Sequence, residues 1–163
     1  MKDQLPVFQS IDAYPFLKPL QENWQAIRDE FLLYREQAEL WHMKELHNER
    51  WRLYLLMHQY KKEAGWDNCP VTRELIKDIP GLYVASFSIM EPGCVIYPHR
   101  GYTPNVWRSH LGLVCPEGAY IQVQNTKHEW KSGQMVVFDD TKKHRAANES
   151  TQERVILMID FAR

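Results

Sequence analysis

Cysteine is scarce in this chain of 163 residues: only Cys69, Cys94 and Cys115 occur, widely spaced and without a CxxC pair. Neither a disulfide framework nor a cysteine-held zinc is therefore expected, and the three read as reduced thiols of a cytoplasmic protein. An excess of charge of one sign is also missing, since 20 Lys and Arg stand against 21 Asp and Glu. A nucleic-acid partner needs a clustered cationic face, so none is expected. No apolar run approaches membrane-spanning length, and Met1-Lys2-Asp3-Gln4 lacks the apolar stretch of a signal peptide. No membrane partner is expected either. Internal repeats and low-complexity tracts are absent.

What is present is an ordinary globular mix, 44% apolar and 25% charged, long enough for one domain over 1–163 with a real core. Residues 1–80 read as a helical front half packed on a sheet. Leu17, Leu20, Trp24, Ile27 and Phe31 recur at spacings of three and four, which lays an apolar stripe along one helix. Trp51 to Met57 suits a strand, Leu40 to Arg50 is ambiguous, and Gly65 to Pro70 reads as a loop. Pro70 is placed to open a short helix running to about Asp78. Residues 81–163 are strand-rich, with strands expected at Leu82–Met90, Trp107–Cys115, Tyr120–Gln124, Gln134–Phe138 and Arg154–Phe161. Turn signals every eight to twelve residues point to a mainly β fold with flanking helices, a double-stranded β-helix of jelly-roll or cupin type.

Chemistry concentrates in the back half. Pro98-His99-Arg100-Gly101 is followed by Arg108-Ser109-His110, then by His144 and Arg154. Imidazoles hold divalent metals and guanidiniums hold carboxylates, so the pattern is that of a metal centre beside an anion clamp. Gly101 stands two residues after His99, where a mononuclear iron oxygenase usually places a carboxylate ligand. On a strand Arg108 and His110 share a face with Gly112, which either lines a pocket or meets solvent. Arg154 opens an apolar run; if buried it needs an anion, and Glu153 or Asp160 could supply one internally. His42, His47, His58 and His128 rank lower as ligands, although His58 could line a cleft.

The segment from Phe87 to Asp160 resembles the aspartyl/asparaginyl β-hydroxylase family of iron(II)- and 2-oxoglutarate-dependent oxygenases. The resemblance runs through Phe87-Ser88-Ile89-Met90-Glu91-Pro92-Gly93, Pro98-His99-Arg100-Gly101, Arg108-Ser109-His110-Leu111-Gly112-Leu113 and Trp130-Lys131-Ser132-Gly133. It continues through Phe138-Asp139-Asp140-Thr141, His144 and Arg154, and reaches the front half at Asn23–Glu30 and Cys69–Thr72. The resemblance implies that His99 and His144 hold iron, with Gly101 in place of the usual carboxylate. It implies that Arg154 and Ser88 hold the distal carboxylate of 2-oxoglutarate, and that Arg108 and His110 lie near its metal-bound carboxylate. Asp139 and Asp140 match a family motif as turn-forming or supporting groups. The implied reaction uses dioxygen to convert 2-oxoglutarate to succinate and carbon dioxide while hydroxylating an unactivated C–H. The expected substrate is the β-carbon of an Asp/Asn-type residue in a soluble small molecule or peptide, with Arg100, Tyr102, Asn105 and Trp107 as pocket rim. The competing reading is a non-catalytic cupin-like binding or sensor module for a metal and a small carboxylic acid.

Overall fold

The computed structural model describes residues 5–163. Strand β4 (Val84–Met90) is buried at every position, and β11 (Arg154–Ala162) at all but the last. A strand with no exposed face must be covered on both sides. The larger sheet meets that requirement. Its order is β1 (Glu39–Leu40), β2 (Trp51–His58), β4, β11, β6 (Val106–Val114) and β9 (Met135–Phe138), with β3 (Lys61–Lys62) paired to β2. A smaller sheet runs β5 (Val95–His99), β10 (His144–Asn148), β7 (Ala119–Val123) and β8 (Thr126–Glu129). The paired strands are antiparallel throughout, and consecutive strands from β4 onward divide between the two sheets. This is the expected double-stranded β-helix, with the larger sheet extended by the front half of the chain.

Side-chain alternation sorts β4, β6 and β11 into two cores. Phe87, Ile89, Leu111, Leu157 and Ile159 point outward and pack against Leu20, Ile27 and Phe31 of the helical layer. Met90, Phe138 and Ile156 point inward, toward Ile96, Ile121 and Ala146 of the smaller sheet. The inward side is also where the buried polar residues Ser88, His110, Arg154 and Asp160 lie.

Several local expectations need correction. The apolar stripe is carried by two helices, α1 (Lys18–Glu22) and α2 (Trp24–Leu32), preceded by a 3-10 turn at Pro15–Leu17. Asn23 breaks the run with φ −111° and ψ 22°, yet Leu17, Leu20, Ile27 and Phe31 are still fully buried, so the periodicity survives the break. The expected loop at Gly65–Pro70 contains α3 (Ala64–Asn68), after which Pro70 opens α4 (Pro70–Ile76) at the first helical position. The front half is more than a helical layer, because β2 pairs with β4 along its length. Strands β5, β8 and β10 were not expected. They are short, β5 is interrupted by Pro98 and β8 and β10 are largely polar, and pairing in the small sheet creates them rather than any apolar alternation.

Phe31 stacks on Phe87 with ring centroids 4.4 Å apart and fastens the helical layer to the sheet. Phe31→Ala should lower unfolding stability by about 3–5 kcal/mol, the usual cost of removing a buried aromatic ring. Urea denaturation should show a lower midpoint with an unchanged slope.

Candidate metal and anion site

The two candidate metal ligands are direct cross-strand partners. His99 ends β5, His144 begins β10, and their ring centroids lie 4.3 Å apart. His99 Nδ1 is 2.7 Å from the Tyr97 carbonyl and His144 Nδ1 is 2.8 Å from that of Lys142. A carbonyl only accepts, so each Nδ1 must carry the proton, leaving the Nε2 lone pair available for a metal. Burial lowers both pKa values, that of His144 to about 4, so the rings are neutral near pH 7. Among the described residues no group of three His, Cys, Asp or Glu could hold a metal ion.

Gly101 explains the missing third ligand sterically. Its N–H donates to the Asp140 carbonyl at 2.7 Å, and Arg100 Nη1 donates to the Thr141 carbonyl at 3.1 Å, so this segment is drawn against residues 140–141. A Cβ built at position 101 would overlap the Asp140 carboxylate. Asp140 is thus more than a turn residue: its carboxylate occupies the space a side chain at 101 would need. Its Oδ1 is buried without a hydrogen-bond partner, and its Oδ2 lies 3.4 Å from Arg108 Nη2. Burial raises its pKa against the pull of Arg108.

The anion site centres on Arg154, which is 1% exposed. Neither acid considered as its partner reaches it. Glu153, on the opposite parity of the chain, binds Arg35, and Asp160 binds Arg108 through two bonds of 2.8 Å. Arg154 instead stacks over the Trp130 ring at 4.2 Å and donates through Nη2 to Ser88 Oγ at 2.9 Å. Its Nε is buried with no hydrogen-bond partner among the described residues. Burial pulls its pKa down to about 10, which still leaves the guanidinium charged at pH 7.

The neighbours of Arg154 are arranged as donors. Ser88 Oγ accepts from both Arg154 and Trp51 Nε1, the latter at 2.9 Å, so its own hydroxyl proton is free to point elsewhere. Trp130 Nε1 donates to His110 Nδ1 at 3.1 Å, which puts the His110 proton on Nε2. Burial and the nearby arginines hold His110 well below its ordinary pKa, so it is neutral. A hydroxyl, an imidazole N–H and an uncompensated guanidinium in one recess make a carboxylate cradle. Arg108 contributes less freely, because Asp160, with Asp140 behind it, outweighs the cost of burial and keeps it charged and engaged.

One recess is lined by Ser88, His99, Arg108, His110, His144 and Arg154, so these six residues do meet and the Arg108/His110 face lines a pocket. Beside it, Arg100 and Tyr102 line a larger cleft, with His42 and His58 on its wall. A bulge in β2 between Leu55 and Met57 re-aims the strand so that His58 faces this cleft. Asn105 and Trp107 do not belong to the rim. Trp107 alternates with Arg108 and points the other way, toward Tyr14 and Arg163, and Asn105 is exposed beside Thr103. His47 is a buried structural histidine bridging Trp41 O and Glu49 N, and His128 packs against Phe8. Sequence reasoning missed Trp51 and Trp130. Trp51 to Met57 reads as a strand from its aromatic and aliphatic richness, and nothing in the sequence says which side each face meets.

The chain is 34% identical over 172 aligned positions to an ornithine lipid ester-linked acyl 2-hydroxylase of Rhizobium tropici, covering 97% of this chain and 60% of that protein. It is 32% identical to human aspartyl/asparaginyl beta-hydroxylase, covering 88% of this chain and 20% of the human protein. A Pseudomonas putida prolyl-4-hydroxylase shares the fold with a TM-score of 0.59 at 14% identity, covering 88% of this chain and 87% of that one. The profile described as Aspartyl/Asparaginyl beta-hydroxylase matches residues 21–163. Matched over that length, the chain belongs to the aspartyl/asparaginyl β-hydroxylase family.

Proposed function

We propose that the protein is an iron(II)- and 2-oxoglutarate-dependent hydroxylase of an unactivated C–H. The observation that carries this reading is Arg154: a buried guanidinium with an unpartnered Nε and no internal carboxylate, in the same recess as two histidines with free Nε2 atoms. These residues fit the group the family implies. His99 and His144 would hold iron, while Arg154 and the free Ser88 hydroxyl proton would bind the distal carboxylate of 2-oxoglutarate. His110 would direct its Nε2 proton toward the metal-bound end, with Arg108 beside it. When bound, iron(II) and 2-oxoglutarate supply the oxidising power, dioxygen being consumed as 2-oxoglutarate becomes succinate and carbon dioxide.

The chain's own residues do the positioning. The carbonyls of Tyr97 and Lys142 fix both imidazole tautomers, and such outer partners commonly account for 10- to 100-fold in metal affinity, roughly, in characterised sites. Asp140 keeps a carboxylate near the centre without standing at position 101. The buried Trp51 and Trp130 indoles donate to two polar members of the cradle, Ser88 and His110. No helix among the described residues is long and apolar enough to cross a membrane. The relatives' names cover an ester-linked acyl chain and Asp/Asn residues, and the chain spans 60% and 20% of those two proteins, so the substrate is a separate proposal.

Anaerobic addition of iron(II) and 2-oxoglutarate should produce a weak visible charge-transfer band, and oxygen should then release succinate. A protein that binds both but forms no succinate with any substrate would be the sensor module instead. His99→Ala or His144→Ala should abolish the band and the turnover. Retained substrate-dependent succinate formation after replacing both histidines would reject the assignment. Arg154→Ala should mainly raise the 2-oxoglutarate concentration required, by about 10- to 100-fold, as for loss of hydrogen bonds to a charged group. Gly101→Asp should not recreate a three-ligand centre, because Asp140 holds that space; metal titration of this variant should show weaker binding, and tighter binding would refute the steric account.

A further inference from the structure

We propose that Trp51 and Trp130 fix the polarity of the recess, so that it offers hydrogen-bond donors to its organic ligand and selects ionised carboxylates over carboxamides. The inference rests on the hydroxylase reading above and concerns how the site recognises its cosubstrate. An indole N–H only donates, whereas a serine hydroxyl and a neutral imidazole can each donate or accept. Ser88 and His110 are therefore the two members of the cradle whose polarity is open until something sets it. Trp51 Nε1 lies 2.9 Å from Ser88 Oγ, and Trp130 Nε1 lies 3.1 Å from His110 Nδ1. All four residues are buried, so neither bond is readily exchanged for one to water.

The consequence is a one-sided cradle. Ser88 Oγ also accepts from Arg154 Nη2 at 2.9 Å, which occupies its second lone pair and leaves its proton as its one free function. The occupied Nδ1 leaves His110 with an Nε2 proton. Arg154 can only donate, and its Nε has no hydrogen-bond partner among the described residues. No Asp, Glu, Asn or Gln stands among the described residues that line the recess. Apart from the Nε2 lone pairs of His99 and His144, it therefore holds no strong side-chain acceptor. A carboxylate accepts through both oxygens and matches every one of these donors. A carboxamide must turn its NH2 toward one of them, which sets donor against donor in a buried site. Each indole acts through the residue it bonds, so both are positioning residues whose effect is on selectivity.

The test compares 2-oxoglutarate with the analogue whose distal carboxylate is a carboxamide, by anaerobic calorimetry of the full chain with iron(II). Trp51→Phe keeps an aromatic ring and removes the N–H, which frees Ser88 Oγ to accept. The acid-to-amide affinity ratio should fall by roughly tenfold from its value in the unaltered protein, the size expected when one buried donor no longer faces another. The charge lost in the amide is the same for both proteins, and loosening of the recess acts on both ligands, so neither moves the ratio. In a Ser88→Ala background Trp51→Phe should leave the ratio unchanged, which separates the effect from disturbed packing. Trp130→Phe keeps a ring face for Arg154, which stacks on Trp130 at 4.2 Å, and removes the N–H. NMR of the histidine nitrogens in the metal-free protein should show His110 with its proton on Nε2, and a mixture of tautomers in Trp130→Phe. A ratio untouched by Trp51→Phe, a fall that persists without the Ser88 hydroxyl, or a His110 tautomer untouched by Trp130→Phe would overturn the inference. Should neither ligand bind, the hydroxylase reading falls, and the His110 tautomer in the two proteins then decides the polarity assignment by itself. The expected fall in ratio with no succinate formed in oxygen from any substrate would likewise remove the hydroxylase reading while supporting this inference.

Discussion

A guanidinium buried without a carboxylate is costly, and much of the molecule is arranged to keep Arg154 in that condition. Desolvation of an isolated charge in a protein interior costs several kcal/mol, roughly, even after relaxation. Part of that is offset by the face of Trp130 and by the Ser88 hydroxyl and carbonyl, which accept its Nη2 protons. Neither acid nearest along the chain neutralises it, Glu153 pairing with Arg35 and Asp160 with Arg108. What remains is a fixed positive charge with an open Nε, and that is the physical content of an anion site.

The histidine pair depends on the same frame from the opposite side. The recess lies between the two sheets, with the arginine on the larger and the histidines on the smaller. Cross-strand pairing of His99 with His144 sets their separation, and two backbone carbonyls set their tautomers. Asp140 binds the two halves electrostatically: it sits against Gly101, four residues before His144, and beside Arg108 on the larger sheet. A carboxyl group is thus kept beside Gly101, displaced from where a ligating side chain would stand. The neighbouring cleft shares this wall, through His99, Arg108, Asp140 and Asp160.

Much of this was legible in residue order. Turn spacing after Gly81 indicated a β-helix, and the even spacing of Arg108 and His110 placed them on one face. The resemblance picked out His99, His144, Arg154 and Ser88, which the fold brings into one recess. The fate of Arg154 was partly legible as well. Asp160 lies six residues along the same strand, about 20 Å away at ~3.3 Å per residue, and so could never have reached it. Glu153 precedes it directly and, if extended, points to the other face.

Local periodicity and motif spacing are properties of neighbouring residues, so they could specify strand and helix types, the face shared by Arg108 and His110, and the candidate donors. Which face of β4 or β11 looks inward could not be specified that way, because both faces are buried, although Ser86 and Ser88 of β4 and Arg154 and Asp160 of β11 each fall on a single face. Pairing partners decided that, and with it the placing of Trp51 and Trp130 in the cradle and of Trp107 outside the rim. Strands β5 and β10, which carry the histidines, exist because the small sheet hydrogen-bonds them into place. The overlap of Asp140 with position 101 is a contact across 39 residues of chain, fixed by tertiary packing alone.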